Sequence, residues 1–303
     1  VDDAWALDML HKYADRGQAR ILAVMLNKEG VGPCRFVEAM NTWYGRPRIP
    51  VGRALREFPS NEGMPNFTNI VPDMKAADGT PLYPHTISKL ADCPDAVTLY
   101  RRLLAKQKDR SVTIVSVGFS GNLAALLHTG ADRYSPLSGA ELVARKVASL
   151  VIMAGHIENP DYVEYNVEND IPSCQEVFAK WPGEIVVTPF ELGLAAKLPA
   201  SCLKNDFGWT DHHPALDAVM AARGQYADYP TWDMTAVVYA VEGCAGYFTL
   251  SRPGTITVTD KGCTHYQADS RGRHRYMTSD HNQSALLVKH MCDLVSRKPK
   301  NKK

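Results

Sequence analysis

The sequence predicts a single α/β domain over residues 1–303. Its core is a doubly wound, largely parallel β-sheet flanked by helices, with a small β-hairpin near the C-terminal end. Three observations predict it. Short runs of Val, Ile and Leu recur without polar alternation, as in strands buried on both faces. Helical patterns lie between them in a βαβ rhythm. The 303 residues, 45% hydrophobic and 22% charged, suffice for one large core that buries roughly 75% of the unfolded surface.

Along the chain, "DDAWALDML" (2–10) reads as a helix with an acidic start, and "RILAVML" (20–26) as a strand behind it. Residues 54–86, rich in Pro, Asn and Gly, resist regular assignment, as does "LKNDFGWTDHHP" (203–214). Long irregular stretches with embedded aromatics read as ordered lids. "VTIVSVG" (112–118) is a β-branched strand that leads into "NLAALLHTG", a helix ending at Gly130. "ASLVIMAG" (148–155) and "GEIVVTPF" (183–190) are further buried strands. In "PTWDMTAVVYAV" (230–241), Asp233 precedes an apolar helical run. "GTITVTDKGCTHYQA" (254–268) alternates around a turn at Asp260–Gly262 and predicts an appended hairpin. "RGRHR" (271–275) reads as solvated surface, and the cationic end 297–303 as a disordered tail.

The formal net charge of +1 offers no electrostatic basis for nucleic acid or membrane partners. No apolar run is long enough to cross a bilayer. Seven scattered Cys with no CxxC pair argue against a disulfide framework and a structural zinc site. They favour a reducing, cytoplasmic compartment, with secretion left open by a signal peptide upstream of this chain. No GxGxxG follows a strand, which argues against a dinucleotide cofactor.

Ligands of an open parallel sheet bind beyond the carboxyl ends of its strands. Asn27 closes the strand 20–26, "GFSGN" (118–122) closes the next, and "HIENPDYVEYNVEND" (156–170) follows the third. Asp2, Asp3 and Asp233 sit at helix starts. Each has a purely structural reading taken alone. Asp at a helix start caps it or complements its dipole, Asn27 suits a turn, and Glu164 and Asn166 suit a solvated surface. Spacing and composition do not decide between these readings.

Five stretches do more together. "DDAWAL" (2–7), "NTWYGRPRIPVG" (41–52), "VSVGFSGNLAALL" (115–127), "EYNVENDIPSCQEVF" (164–178) and "TWDMTAV" (231–237) stand in one order. In that order the chain resembles the inosine–uridine-preferring nucleoside hydrolase family from residue 1 to about 270. The resemblance implies a largely parallel α/β sheet, one Ca²⁺ at its carboxyl edge, and hydrolysis of the N-glycosidic bond of ribonucleosides to ribose and free base. It also implies a homodimer or homotetramer. By resemblance Asp3, the main-chain carbonyl of Gly121 and Asp233 ligate the calcium. Asp2, Asn27, Glu164, Asn166 and Asp233 hold the ribose hydroxyls. Asp3 and Asp233 carry the catalytic charge.

Those residue types suit that chemistry. Ca²⁺ takes several hard oxygen ligands and lowers the pKa of a bound water. The ribosyl group becomes oxocarbenium-like, so carboxylates beside it stabilise the developing positive charge. A buried polar group left unpaired by a deoxy analogue is costly, which makes the hydroxyls a basis for selection.

The chain departs from the family pattern twice. The family opens on Asp-x-Asp-x-Gly-x-Asp-Asp, and only its last two carboxylates match, at Asp2 and Asp3. The expectation is that the biological protein carries residues upstream of Val1, including the first strand and the aspartate that serves as general base. Several members also carry His immediately before the distal Asp as acid for the leaving base. That position is Trp232 here, which can stack on a base but not protonate it. The His212/His213 pair is the expected substitute, against the equal alternative of two solvated loop histidines. Phe207 and Trp209 are further aromatic candidates, with core packing as their default. These departures keep a second reading open: a catalytically silent nucleoside- or ribose-binding protein on the same fold.

Overall fold

The computed structural model describes residues 1–54 and 66–302. They fall into two compact units. Unit 1 comprises Val1–Asp95, Lys197–Pro230 and Val288–Lys303, and unit 2 comprises Ala96–Ala196 and Thr231–Leu287. Among the described residues no helix is long and apolar enough to cross a membrane.

Unit 2 carries a seven-stranded sheet. Its parallel part is Val112–Ser116, Val147–Met153, Glu184–Thr188 and His274–Thr278, paired side by side in that order. Ile114 faces Leu150, and Leu150 faces Ile185. Leu150, Val151, Ile152, Ile185, Val186 and Val187 are all buried, which is why these runs show no polar alternation. The helix Gly121–Leu127 follows the first strand and stops at His128, short of Gly130. The helix Trp232–Glu242 packs against the first three strands.

The hairpin forms from Gly254–Val258 and Thr264–Ala268, antiparallel. Gly262 takes φ +85° in its turn, and a Cβ there would also meet Val163 Cγ1 at 2.8 Å. The hairpin is not an appendage: His274 pairs with Gly254, which joins it to the main sheet. "RGRHR" is accordingly not plain solvated surface. Its last two residues open the strand His274–Thr278. His274 is buried, and its Nδ1 accepts from Ile256 N at 2.9 Å.

Unit 1 is organised around the helix Asp2–Asp15, which buries Trp5, Met9 and Tyr13 but also Asp8, His11 and Lys12. Buried polar groups must find partners, and each of these residues has at least one, though Asp8 Oδ2 has none. Asp8 Oδ1 lies 3.1 Å from His213 Nε2 and accepts the Tyr44 hydroxyl. His11 Nε2 bonds Asn41 Oδ1 at 2.9 Å. Burial, with the Arg46 charge beside it, pushes His11 down to about 4. The Lys12 ammonium donates to Val295 O at 3.0 Å and also to Arg297 O.

Of the stretch expected as a disordered tail, 297–303, Lys303 lies outside the described residues, and the rest makes contacts in unit 1 as these carbonyls do. Trp209 Nε1 donates to Ser296 O at 2.7 Å, Asn301 Nδ2 to Trp43 O at 2.8 Å, and Lys302 Nζ lies 3.4 Å from the Trp43 ring centroid. A buried ammonium needs acceptors, and the chain end supplies them.

Only Val24–Met25 of the run 20–26 forms a strand, parallel to Val51–Gly52. A ladder extends as far as its partner does, and that partner is two residues long. Part of the expected lid 54–86, namely 55–65, lies outside the described residues. The remainder is fixed within unit 1. Glu38 Oε2 accepts from the backbone N–H groups of Thr86 and Ile87 at 2.8 Å each, and the buried Tyr83 donates to Asp217. The other irregular stretch begins inside a helix, Ala200–Asn205.

Candidate active site

In unit 2, five of the expected residues gather at the carboxyl edge of the parallel strands. Gly121 opens the helix behind Val112–Ser116. Glu164 and Asn166 follow Val147–Met153. Glu164 is the N-cap of the short helix Tyr165–Glu168 and is 2% exposed. Its carboxylate accepts from the backbone N–H groups of Gly155, Asn166 and Val167 at 3.1, 2.9 and 3.3 Å. That fixes the loop beyond the strand and gives a buried charge its compensation. Asn166 Nδ2 donates back to Met153 O, the last residue of the strand, at 3.2 Å.

Trp232 and Asp233 reach the same edge through the strand Glu184–Thr188. Trp232 Nε1 donates to Phe190 O at 2.9 Å, and Thr231 N to Gly193 O at 3.0 Å. Gly193 is required for this approach, since a Cβ there would lie 2.4 Å from Trp232 Cδ1 and 2.5 Å from its Cα. Asp233 is thereby held in the first turn of the helix Trp232–Glu242, 4% exposed.

In unit 1, Asp2 and Asp3 form the first turn of the helix Asp2–Asp15. The Asp2 side chain is mostly covered, while that of Asp3 is 66% exposed. Burial pushes the Asp2 carboxyl up, and the neighbouring Asp3 charge adds to that. Tyr229 lies close enough to Asp2 that burial and the Asp2 charge together push its phenol up to about 12. Asn27 follows the strand Val24–Met25.

The two histidines expected to protonate the leaving base part company. His212 is partly exposed, with Nδ1 3.1 Å from Asp217 Oδ2. His213 is fully enclosed. Its Nδ1 accepts from Ala215 N at 3.2 Å, which caps the helix Pro214–Arg223, and its Nε2 meets Asp8. Trp5 stacks on it at 5.9 Å, and Phe207 and Trp209 pack edge-on at 5.3 and 6.0 Å. With both nitrogens committed and aromatic walls around it, His213 holds unit 1 together and does not meet a substrate. Phe207 and Trp209 belong to the same packing.

The family model for inosine-uridine preferring nucleoside hydrolases matches residues 1–294. The chain belongs to that family. Solved nucleoside hydrolases share the fold. A plant nucleoside hydrolase superposes with a TM-score of 0.65 at 21% identity, covering 96% of this chain and 95% of the other. A purine-preferring ribonucleoside hydrolase from Gardnerella vaginalis gives 0.71 at 14%, with 97% and 96% covered. An inosine-guanosine nucleoside hydrolase gives 0.72 at 16%, with 98% and 96% covered. No curated protein matches the chain.

The edge of unit 2 in this family member holds side chains that sequence reasoning passed over. Phe190 stacks on Trp232 at 5.2 Å and on His156 at 5.5 Å. Tyr162 closes against both Phe190 and His156, at 5.0 and 5.1 Å. Glu191 Oε2 lies 3.0 Å from His156 Nδ1. The signal available was position: His156 and Phe190–Glu191 directly follow two of the buried strands.

Proposed function

We propose that this nucleoside hydrolase cleaves the N-glycosidic bond of ribonucleosides, or of a related ribosyl compound, with calcium as its metal. The observation that carries the reading is the edge of unit 2, where Glu164, Asn166 and Asp233 are fixed beyond the parallel strands of a chain matched to the family over residues 1–294.

The donors expected for the metal, the carboxylates of Asp3 and Asp233 and the carbonyl of Gly121, are all oxygens. They include no thiol and no imidazole, which suits a hard cation and not zinc. When bound, calcium would supply a Lewis acid that lowers the pKa of a water. The chain's own residues do the rest. Glu164, clamped by three backbone N–H groups, presents its carboxylate with little freedom to reorganise. The bond from Asn166 Nδ2 to Met153 O turns the carboxamide oxygen into the acceptor for a sugar hydroxyl. Asp2 and Asn27 supply further hydroxyl partners. The buried Asp233 carboxylate stabilises positive charge on the ribosyl ring, where low dielectric magnifies its effect. Trp232, anchored through its indole N–H, offers a ring face to the base.

Exhaustive chelation followed by dialysis should abolish release of ribose from inosine or uridine, and added Ca²⁺ should restore it. Full turnover with the metal stripped, verified by elemental analysis, contradicts the calcium assignment.

A further inference from the structure

We propose that unit 1 carries two disulfide bonds, Cys34–Cys93 and Cys202–Cys292. The proposal is independent of the reaction and concerns four of the seven cysteines that stand scattered in sequence. The structure holds all seven as free thiols. Four of them nevertheless meet in pairs. The Cys34 thiol donates to the Cys93 sulfur, and the Cys202 thiol to the Cys292 sulfur.

Other bonds hold each pair in place. Cys34 lies near the start of the helix Val31–Trp43, and the chain leading to Cys93 runs beside that helix. Arg35 Nε and Nη2 donate to Ile87 O and Ser88 O at 3.1 and 3.0 Å. Glu38, one turn on from Cys34, accepts from Thr86 N and Ile87 N. Further along, Cys93 N donates to Leu90 O at 3.1 Å, and Arg53 N to Pro94 O at 2.9 Å. Cys34 and Cys93 are both buried, so their contact is sealed from solvent.

Cys202 lies in the helix Ala200–Asn205 and Cys292 in the helix His281–Val295. Trp209 Nε1 donates to Ser296 O at 2.7 Å, and Ser296 N to Cys292 O at 3.1 Å. The segments that carry these two thiols are thus bonded to each other just beyond them.

Two thiols in contact can serve a metal, an exchange reaction or a disulfide. A structural zinc takes four ligands. Among the described residues, neither pair belongs to a group of three or more His, Cys, Asp or Glu side chains that could share an ion. Exchange catalysts keep a reactive thiol exposed, and the first pair is buried. A disulfide needs only the two partners present. It also ties what the sequence leaves apart. Unit 1 is made of three separate stretches. Cys34–Cys93 closes the first on itself, and Cys202–Cys292 joins the second to the third. That third stretch supplies the Val295 and Arg297 carbonyls to the buried Lys12 ammonium. Closing such long loops restrains the unfolded chain.

The oxidant is a small disulfide such as oxidised glutathione. Each pair gives up two electrons and two protons, and the oxidant takes them up as two thiols. The accepting thiol of each pair, Cys93 or Cys292, is held below the ordinary thiol value by the hydrogen bond it receives, which makes it the readier thiolate. It attacks the oxidant, and one glutathione leaves as thiol. Its partner then attacks the mixed disulfide, and the second glutathione leaves.

Thiol mapping reads the bonds directly. The chain is folded in a mixture of oxidised and reduced glutathione, quenched in acid, denatured, alkylated without reductant and mapped by mass spectrometry. The expected products are peptides linked through Cys34–Cys93 and Cys202–Cys292, with Cys174, Cys244 and Cys263 alkylated. Before alkylation the chain should weigh about 4 Da less than its reduced form, two hydrogens per bond. Alkylation of every cysteine, or links between other cysteines, overturns the proposal. Detection of one expected link without the other overturns the missing pair.

Discussion

Asp233→Asn should lower turnover by roughly 10²–10³-fold, the cost typical of removing one preorganised electrostatic partner of a transition state. The substitution keeps the shape of the side chain and removes its charge. Asp233 is 4% exposed in the first turn of its helix, so the lost charge is one that water does not replace. The helix start is held by Thr231 and Trp232 through their bonds to Gly193 and Phe190, none of which the change touches. The variant should therefore melt near the temperature of the unaltered protein while losing ribose release. Turnover within about threefold of the unaltered protein, far less than that loss, would remove Asp233 from the chemistry.

His213→Ala should act on stability instead. Burial pushes the His213 imidazole down, towards its neutral form. A neutral ring that accepts at Nδ1 from Ala215 carries its proton on Nε2 and donates it to Asp8. Burial opposes the charge on Asp8, yet Lys12, His213 and Tyr44 together hold that carboxyl below its ordinary value. Removing the histidine strips a donor from a buried carboxylate, opens a hole beneath Trp5, and uncaps the helix Pro214–Arg223. Breaking a buried pair of this kind costs about 3–5 kcal/mol. The urea midpoint should drop accordingly, with unit 1 reporting the loss. An unchanged midpoint together with lost turnover would return His213 to the role of proton donor.

How far the sequence reveals this molecule depends on what each residue does twice over. The strands Val112–Ser116, Val147–Met153 and Glu184–Thr188 were legible because burial on both faces selects unbroken Val, Ile and Leu. His274–Thr278 was not, because "HRYMT" carries three cationic or polar residues, His274, Arg275 and Thr278, and gains its strand character from pairing with Glu184–Thr188. The run 20–26 reads as a longer strand than it forms, since its partner Val51–Gly52 is short. The helix starts at Asp2 and Trp232 were legible, and so was the loop bearing Glu164.

The pairing of His156 with Glu191 was not legible. The residues lie 35 positions apart, His156 in a loop and Glu191 in the first turn of the helix Phe190–Ala195, and only the parallel alignment of the two preceding strands, Met153 beside Thr188, brings them together. His213 misled for the opposite reason. Beside Asp211 and His212 in a polar stretch it reads as a surface residue, yet as the N-cap of the helix Pro214–Arg223 it is turned inward.

The most direct measurement is proton NMR of uridine and inosine incubated with the protein and Ca²⁺, following the anomeric signals with time. Conversion to free ribose and free base in equal amounts, stopped by chelator, is the predicted result. Intact nucleoside after prolonged incubation, with its signals broadened by binding, would contradict hydrolysis and mark a nucleoside-binding protein on this fold.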